Sequence, residues 1–136
     1  MTITIYILPG ELADRISILR LRIDHLQPDL QREWHLHELQ KLQSQWDELF
    51  VHTHPIADCL AQLAAVNREL WQVEDQLRAC ERDSEFGESF IAFARSVYRL
   101  NDQRSELKRK INLELCGEPG EQKVHTGTST GGCKCQ

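Results

Sequence analysis
The stretch that most constrains this chain is VNRELWQVEDQLRACERDSEFGESFIAFARSVYRLNDQRSELKRKINLEL, from Val66 to Leu115. Apolar residues recur at Ile56, Leu60, Leu63, Val66, Leu70, Val73, Leu77 and Cys80. Those steps alternate between three and four, which places them on one face of a helix. Phe90, Ala94 and Val97 begin the same pattern again, and Ile111 and Leu115 finish it. Between the two lies Asp83-Ser84-Glu85-Phe86-Gly87, with Ser84 as the expected N-cap and Gly87 as a flexible point. So short a link makes the two helices antiparallel neighbours, each roughly 40 Å long at about 1.5 Å per residue.

A polar line runs through this hairpin. Continuing the spacing from Val97 lands on Asn101, Arg104 and Lys108 before Ile111 restores it. The first helix carries Asn67, Trp71, Glu74, Arg78 and Glu81 beside its apolar line. With the turn centred near Ser84 to Phe86, Glu74 is expected level with Arg95 to Tyr98, and Asn67 near Arg104. Carboxylates and cations inside a bundle must pair, because an uncompensated buried charge is strongly unfavourable. The candidate ligand-binding residues are therefore Asn67, Trp71, Glu74, Arg78, Arg95, Tyr98, Asn101, Asp102, Arg104 and Lys108. Arginine forks and a lysine would grip a phosphate or carboxylate, with Glu74 as an acid or base. The competing expectation is a structural ion-pair lattice that sets the register of the hairpin.

The hairpin motifs are N-x-x-L-W-x-x-E-D-x-x-R-x-x-E from Asn67, F-G-x-x-F-I from Phe86, A-R-x-V-Y-x-x-N-D-x-R from Ala94 and K-R-x-I-N from Lys108. With the opening Pro9-Gly10-Glu11-Leu12 after a short strand, they resemble a small bacterial family of unknown function over most of residues 1 to 115. The resemblance implies a fold and a polar hairpin, and brings no activity with it. The ending HTGTSTGGCKCQ differs from the acidic and lysine-rich tail usual in that family.

The rest of the chain builds outward from the hairpin. Ile3, Ile5 and Ile7 alternate with Thr2, Thr4 and Tyr6 over residues 2 to 8, which predicts one short β-strand. That strand needs a partner, either its equivalent in a second copy or the segment from Gln122 to Thr126. Pro9-Gly10 turns the chain, and Glu11 and Asp14 are placed in the first helical turn, where carboxylates suit the positive end of the helix. Leu12, Ile16, Leu19, Ile23 and Leu26 form the next core stripe, stopped or kinked at Pro28. After Asp29, the stripe Leu39, Leu42, Trp46 and Leu49 is widened by Trp34 and Phe50. His52-Thr53-His54-Pro55 is a turn, with Pro55 opening the first hairpin helix. The expected architecture is mainly α: an antiparallel bundle of about four helices over residues 1–116, and a flexible Gly/Thr/Cys tail over 117–136.

Composition then narrows the function. A length of 136 residues supports one domain with a real core. The net charge of −5, with no separate basic arm, argues against nucleic acid as a partner. No apolar run approaches the ~20 residues that span a bilayer, so no membrane partner is expected. Five cysteines in a helix-rich chain read as free thiols in a reducing cytoplasm. His35 and His37 fall on different helix faces, and His52 and His54 lack a third ligand. Cys133 and Cys135, with Cys116 and His125 upstream, match no zinc spacing, so no metal site is assigned. No pattern points to a cofactor. The leading expectation is a non-enzymatic cytoplasmic binding or scaffold protein that forms a homo-oligomer. The alternative is a small-molecule site for an anionic metabolite, binding or catalytic, in the polar hairpin.

Overall fold
Helix α1, Pro9–His25, starts where a proline can occupy the first helical position without losing a bond. The Leu8 carbonyl accepts from the Glu11 and Leu12 amides at 3.0 and 3.3 Å. The chain leaves α1 at Leu26 and is capped into α2, Leu30–Leu49, by Asp29, whose carboxylate accepts from the Arg32 amide at 2.9 Å. A short 3-10 turn, His54–Ile56, leads into α3, Ala57–Arg82, and α4 is Glu88–Cys116. Pro55 thus sits inside that turn, two residues ahead of the helix it was expected to open. The structure is a computed structural model that describes residues 1–51 and 54–120. It is mainly helical. The tail beyond residue 120, with the segment from Gln122 to Thr126 and the cysteines at 133 and 135, lies outside the described residues, as do His52 and Thr53.

The turn between α3 and α4 closes differently from the expected N-cap. Ser84 takes a left-handed backbone, φ 54°, and belongs to the end of α3. The Ser84 amide donates to the Glu81 carbonyl at 3.2 Å and the Glu85 amide to the Cys80 carbonyl at 2.9 Å. These two bonds form a Schellman closure, in which a left-handed residue just past the helix satisfies its last carbonyls. Gly87 occupies the N-cap of α4, with no side-chain cap.

The core lies where α1, α3 and α4 meet. Leu12, Ala13 and Ile16 pack with Leu63, Val66, Leu70 and Val73, and with Leu100, Leu107 and Ile111; Ile56 fills one end. In α4 the apolar line runs through Val97, Leu100, Leu107 and Ile111, with Arg104 at the step between Leu100 and Leu107, while Ala94 is exposed. Asn101 and Lys108 lie beside that line in a polar one, and Arg104 belongs to both. The polar line meets α1 through Asp14 and Glu11.

Among the described residues the backbone of α2 comes close to α1 and to no other helix. A helix met by one neighbour can bury only one narrow line. Trp46 is accordingly buried with Leu39 and Leu42 packed beside it, whereas Trp34 and Leu49 of the expected stripe are 59% and 68% exposed.

Among the described residues there is no strand. Ile3 and Ile5 are exposed, and the backbone of residues 2–7 makes no backbone hydrogen bond among the described residues. The alternation expected to form a strand is present, but the described residues offer its backbone no partner.

Candidate functional site
Asp14 is the best-enclosed charged side chain of the described residues, 2% exposed. It lies in the second turn of α1, past the helix end where its charge was expected to act. Its Oδ1 accepts from Asn67 Nδ2 of α3 at 2.9 Å. Its Oδ2 faces Arg104 of α4, with Nε at 3.2 Å and Nη2 at 3.1 Å. Asn67 Nδ2 also reaches Ser17 Oγ at 3.2 Å, and Arg104 Nη1 donates to Asn101 Oδ1 at 3.4 Å. One carboxylate thus ties three helices together.

One turn earlier on α1, Glu11 Oε2 accepts from Lys108 Nζ, which also lies 3.8 Å from Asp14 Oδ2. That hydrogen bond holds the Glu11 carboxyl below its ordinary range; partial burial opposes the shift and Arg15 reinforces it. Next to Glu11, the Gly10 amide donates to Asn112 Oδ1 at 2.7 Å. A Cβ at Gly10 would run into the Lys108 carbonyl and lie 2.8 Å from Asn112 Oδ1. The glycine is there because the α1 and α4 backbones approach so closely. Asn112 Nδ2 then holds the Pro119 carbonyl at 3.3 Å. No buried side-chain nitrogen or oxygen of the described residues lacks a partner.

Four of the ten candidate residues, Asn67, Asn101, Arg104 and Lys108, come together in this cluster. Trp71 stands apart, stacked on His25 with ring centroids 4.6 Å apart, beside a cavity of about 270 Å³ that His35 and Arg22 also line. Glu74, Arg78, Arg95, Tyr98 and Asp102 are exposed on the outer part of the hairpin. Glu74 and Arg78 make no ion pair among the described residues, so no carboxylate line faces a basic line there. The Arg95 guanidinium, and next that of Arg99, hold the Tyr98 hydroxyl below the usual phenol range. The described residues contain no group of three or more His, Cys, Asp or Glu able to hold a metal ion.

Gly10, Glu11, Asp14, Ser17 and Asn112 complete the cluster without having been candidates. A signal for them was present. Gly10, Asp14, Ser17 and Leu21 follow the helical spacing as a line of mostly small and polar residues beside the Leu12, Ile16, Ile23 stripe.

Two clefts border the cluster. One, of about 430 Å³, is lined by Ile7, Glu11, Ser105, Lys108 and Arg109. The other, of about 630 Å³, opens between α1, α2 and α3 and includes Ser17 in its wall.

No curated protein matches the chain, and no solved structure matches it. A family model described as a family of unknown function, DUF6165, matches residues 3–132, running past residue 115 into the tail. The chain belongs to DUF6165, a family of unknown function.

Proposed function
We propose that the protein is a non-enzymatic, cytoplasmic binding or scaffold protein that self-associates, residues 2–8 of two copies pairing as β-strands beside an antiparallel helical bundle. One observation carries this reading: Ile3, Ile5 and Ile7 are 79%, 60% and 39% exposed on a segment whose backbone is unpaired among the described residues. An alternating apolar edge of this kind is a template for a matching strand, and an identical strand supplies one around a two-fold axis. The Asp14 cluster supports the same reading. Its polar groups are committed to one another, which suits a rigid frame that presents the segment. The net charge of −5 does not favour nucleic acid as the partner, and no described helix is long and apolar enough to cross a membrane.

The test is light scattering across a wide concentration range. A dimer that falls to monomer in Ile5→Lys, with helical circular dichroism unchanged, is the expected result. Monomer at every concentration in the unaltered protein would overturn it.

A second reading places an anionic metabolite, a phosphate or carboxylate, in the polar hairpin. The observation in its favour is that the Arg104 and Lys108 side chains keep 30% and 25% of their exposure, with Lys108 on the wall of the 430 Å³ cleft. Both cations already face carboxylates, which a ligand would have to displace. Binding of inorganic phosphate that is lost in Arg104→Gln, at unchanged helicity, would establish this reading.

A further inference from the structure
We infer that the 630 Å³ cleft between α1, α2 and α3 binds a zwitterionic amino acid with a large apolar side chain. The cleft exists because the backbone of α2 lies close to α1 and not to α3, so a wedge stays open between them. Its volume falls in the ~300–1,000 Å³ range of small-molecule sites. The floor is apolar and firm: Ile16, Trp46 and Leu63 are buried, and Phe50 packs on Trp46 with ring centroids 4.7 Å apart.

The walls carry charge of both signs, with Arg20 and Asp24 from α1, Asp47 from α2 and Arg68 from α3. Arg20 Nη2 donates to Gln43 Oε1 at 2.6 Å, and Gln43 Nε2 donates to Asp47 Oδ1 at 2.8 Å. That chain bridges one cation to one carboxylate through an amide. Arg68 and Asp24 make no hydrogen bond or ion pair among the described residues. They leave one cation and one carboxylate on different helices for a ligand to engage.

Charge balance then selects the ligand class. Two guanidinium groups and two carboxylates sum to zero, so a polyanion such as a nucleotide would meet two repelling carboxylates. A plain hydrocarbon would leave the wall charges to be desolvated without return. A zwitterion answers both: its carboxylate on the Arg68 fork, its ammonium on Asp24, and its side chain over Trp46 and Leu63. This inference is independent of strand pairing, whose readout is oligomeric state.

The experiment is calorimetric titration of the full chain with L-phenylalanine, phenylpropionate, phenethylamine and pyrophosphate. Phenylalanine is expected to bind, with phenylpropionate and phenethylamine each weaker by about tenfold or more. Arg68→Ala should abolish the advantage of phenylalanine over phenethylamine, and Asp24→Asn its advantage over phenylpropionate. Both side chains are exposed, so circular dichroism should show unchanged folding in each variant. Three results would overturn the inference: no heat with phenylalanine, leucine or tryptophan at about 10 mM; tighter binding of pyrophosphate; or phenylalanine binding indifferent to both substitutions.

Discussion

Asp14 and Arg104 stand 90 residues apart in the chain, and their side chains meet at 3.1 Å on the inner face where α1 crosses α4. The carboxylate is sealed and the guanidinium is 30% exposed, so the pair is a partly buried one. Removing the cation leaves the buried carboxylate with Asn67 and the more distant Lys108. Arg104→Ala is expected to cost about 1–3 kcal/mol, less than the loss of the sole partner of a fully buried charge. The double variant Asp14→Ala/Arg104→Ala should cost well under the sum of the two single losses, since neither charge is then left alone. Urea unfolding of the four proteins measures this, and simple additivity would show the pair to be uncoupled.

Gly10 allows that crossing. Gly10→Ala should lower stability by about 1–3 kcal/mol, because its Cβ meets backbone of α4 that cannot turn aside as a side chain could. Gly87→Ala, where nothing lies within 4 Å of the added Cβ, should cost no more than about 1 kcal/mol, the difference between glycine and alanine at an N-cap. Equal losses at the two glycines would remove the close-approach explanation.

The Glu11 hydrogen bond to Lys108 predicts an acid limb. The folded-state carboxyl is held below its ordinary value of 4.5, so its contribution is complete above that value and is lost as pH falls through the lowered one. Because the side chain is 35% exposed, water screens the interaction and the effect is modest. Glu11→Gln should flatten the decline in thermal midpoint below about pH 4.5 and change its slope little above pH 6. A parallel decline in both proteins would place the acid sensitivity elsewhere.

Ser84 carries the left-handed closure of α3 with a side chain that this backbone region disfavours. Ser84→Gly is expected to stabilise the protein by up to about 1 kcal/mol, and Ser84→Val to destabilise it by a similar amount or more. Thermal unfolding of both variants reads the sign directly.

Trp46 and Trp34 sit on the same helix with opposite fates. Trp46→Ala should cost about 3–5 kcal/mol as a buried aromatic, while Trp34→Gln should cost no more than about 0.5 kcal/mol. A large loss at Trp34 in a protein that also dimerises would place α2 in the interface.

Helical spacing alone made much of this chain legible: the helical segments, the stop at Pro28, and the core positions Leu63, Val66, Leu70 and Val73. Those follow from apolar residues three and four apart, a signal that each helix carries within itself. The phase of α4 was ambiguous for the same local reason. Val97 can be continued through Leu100 or through Asn101, and only the packing of α3 and α1 against α4 buried Leu100 and Leu107 and turned Arg104 towards α1. Spacing likewise placed Asn67 near Arg104, but the group that joins them is Asp14, from a helix more than 50 residues away. The exposure of Trp34 and the open wedge beside α2 were also decided by tertiary structure, through the one helix that the backbone of α2 comes close to. A sequence pattern states which residues share a face; which helix meets that face, and how closely, depends on contacts between segments far apart in the chain.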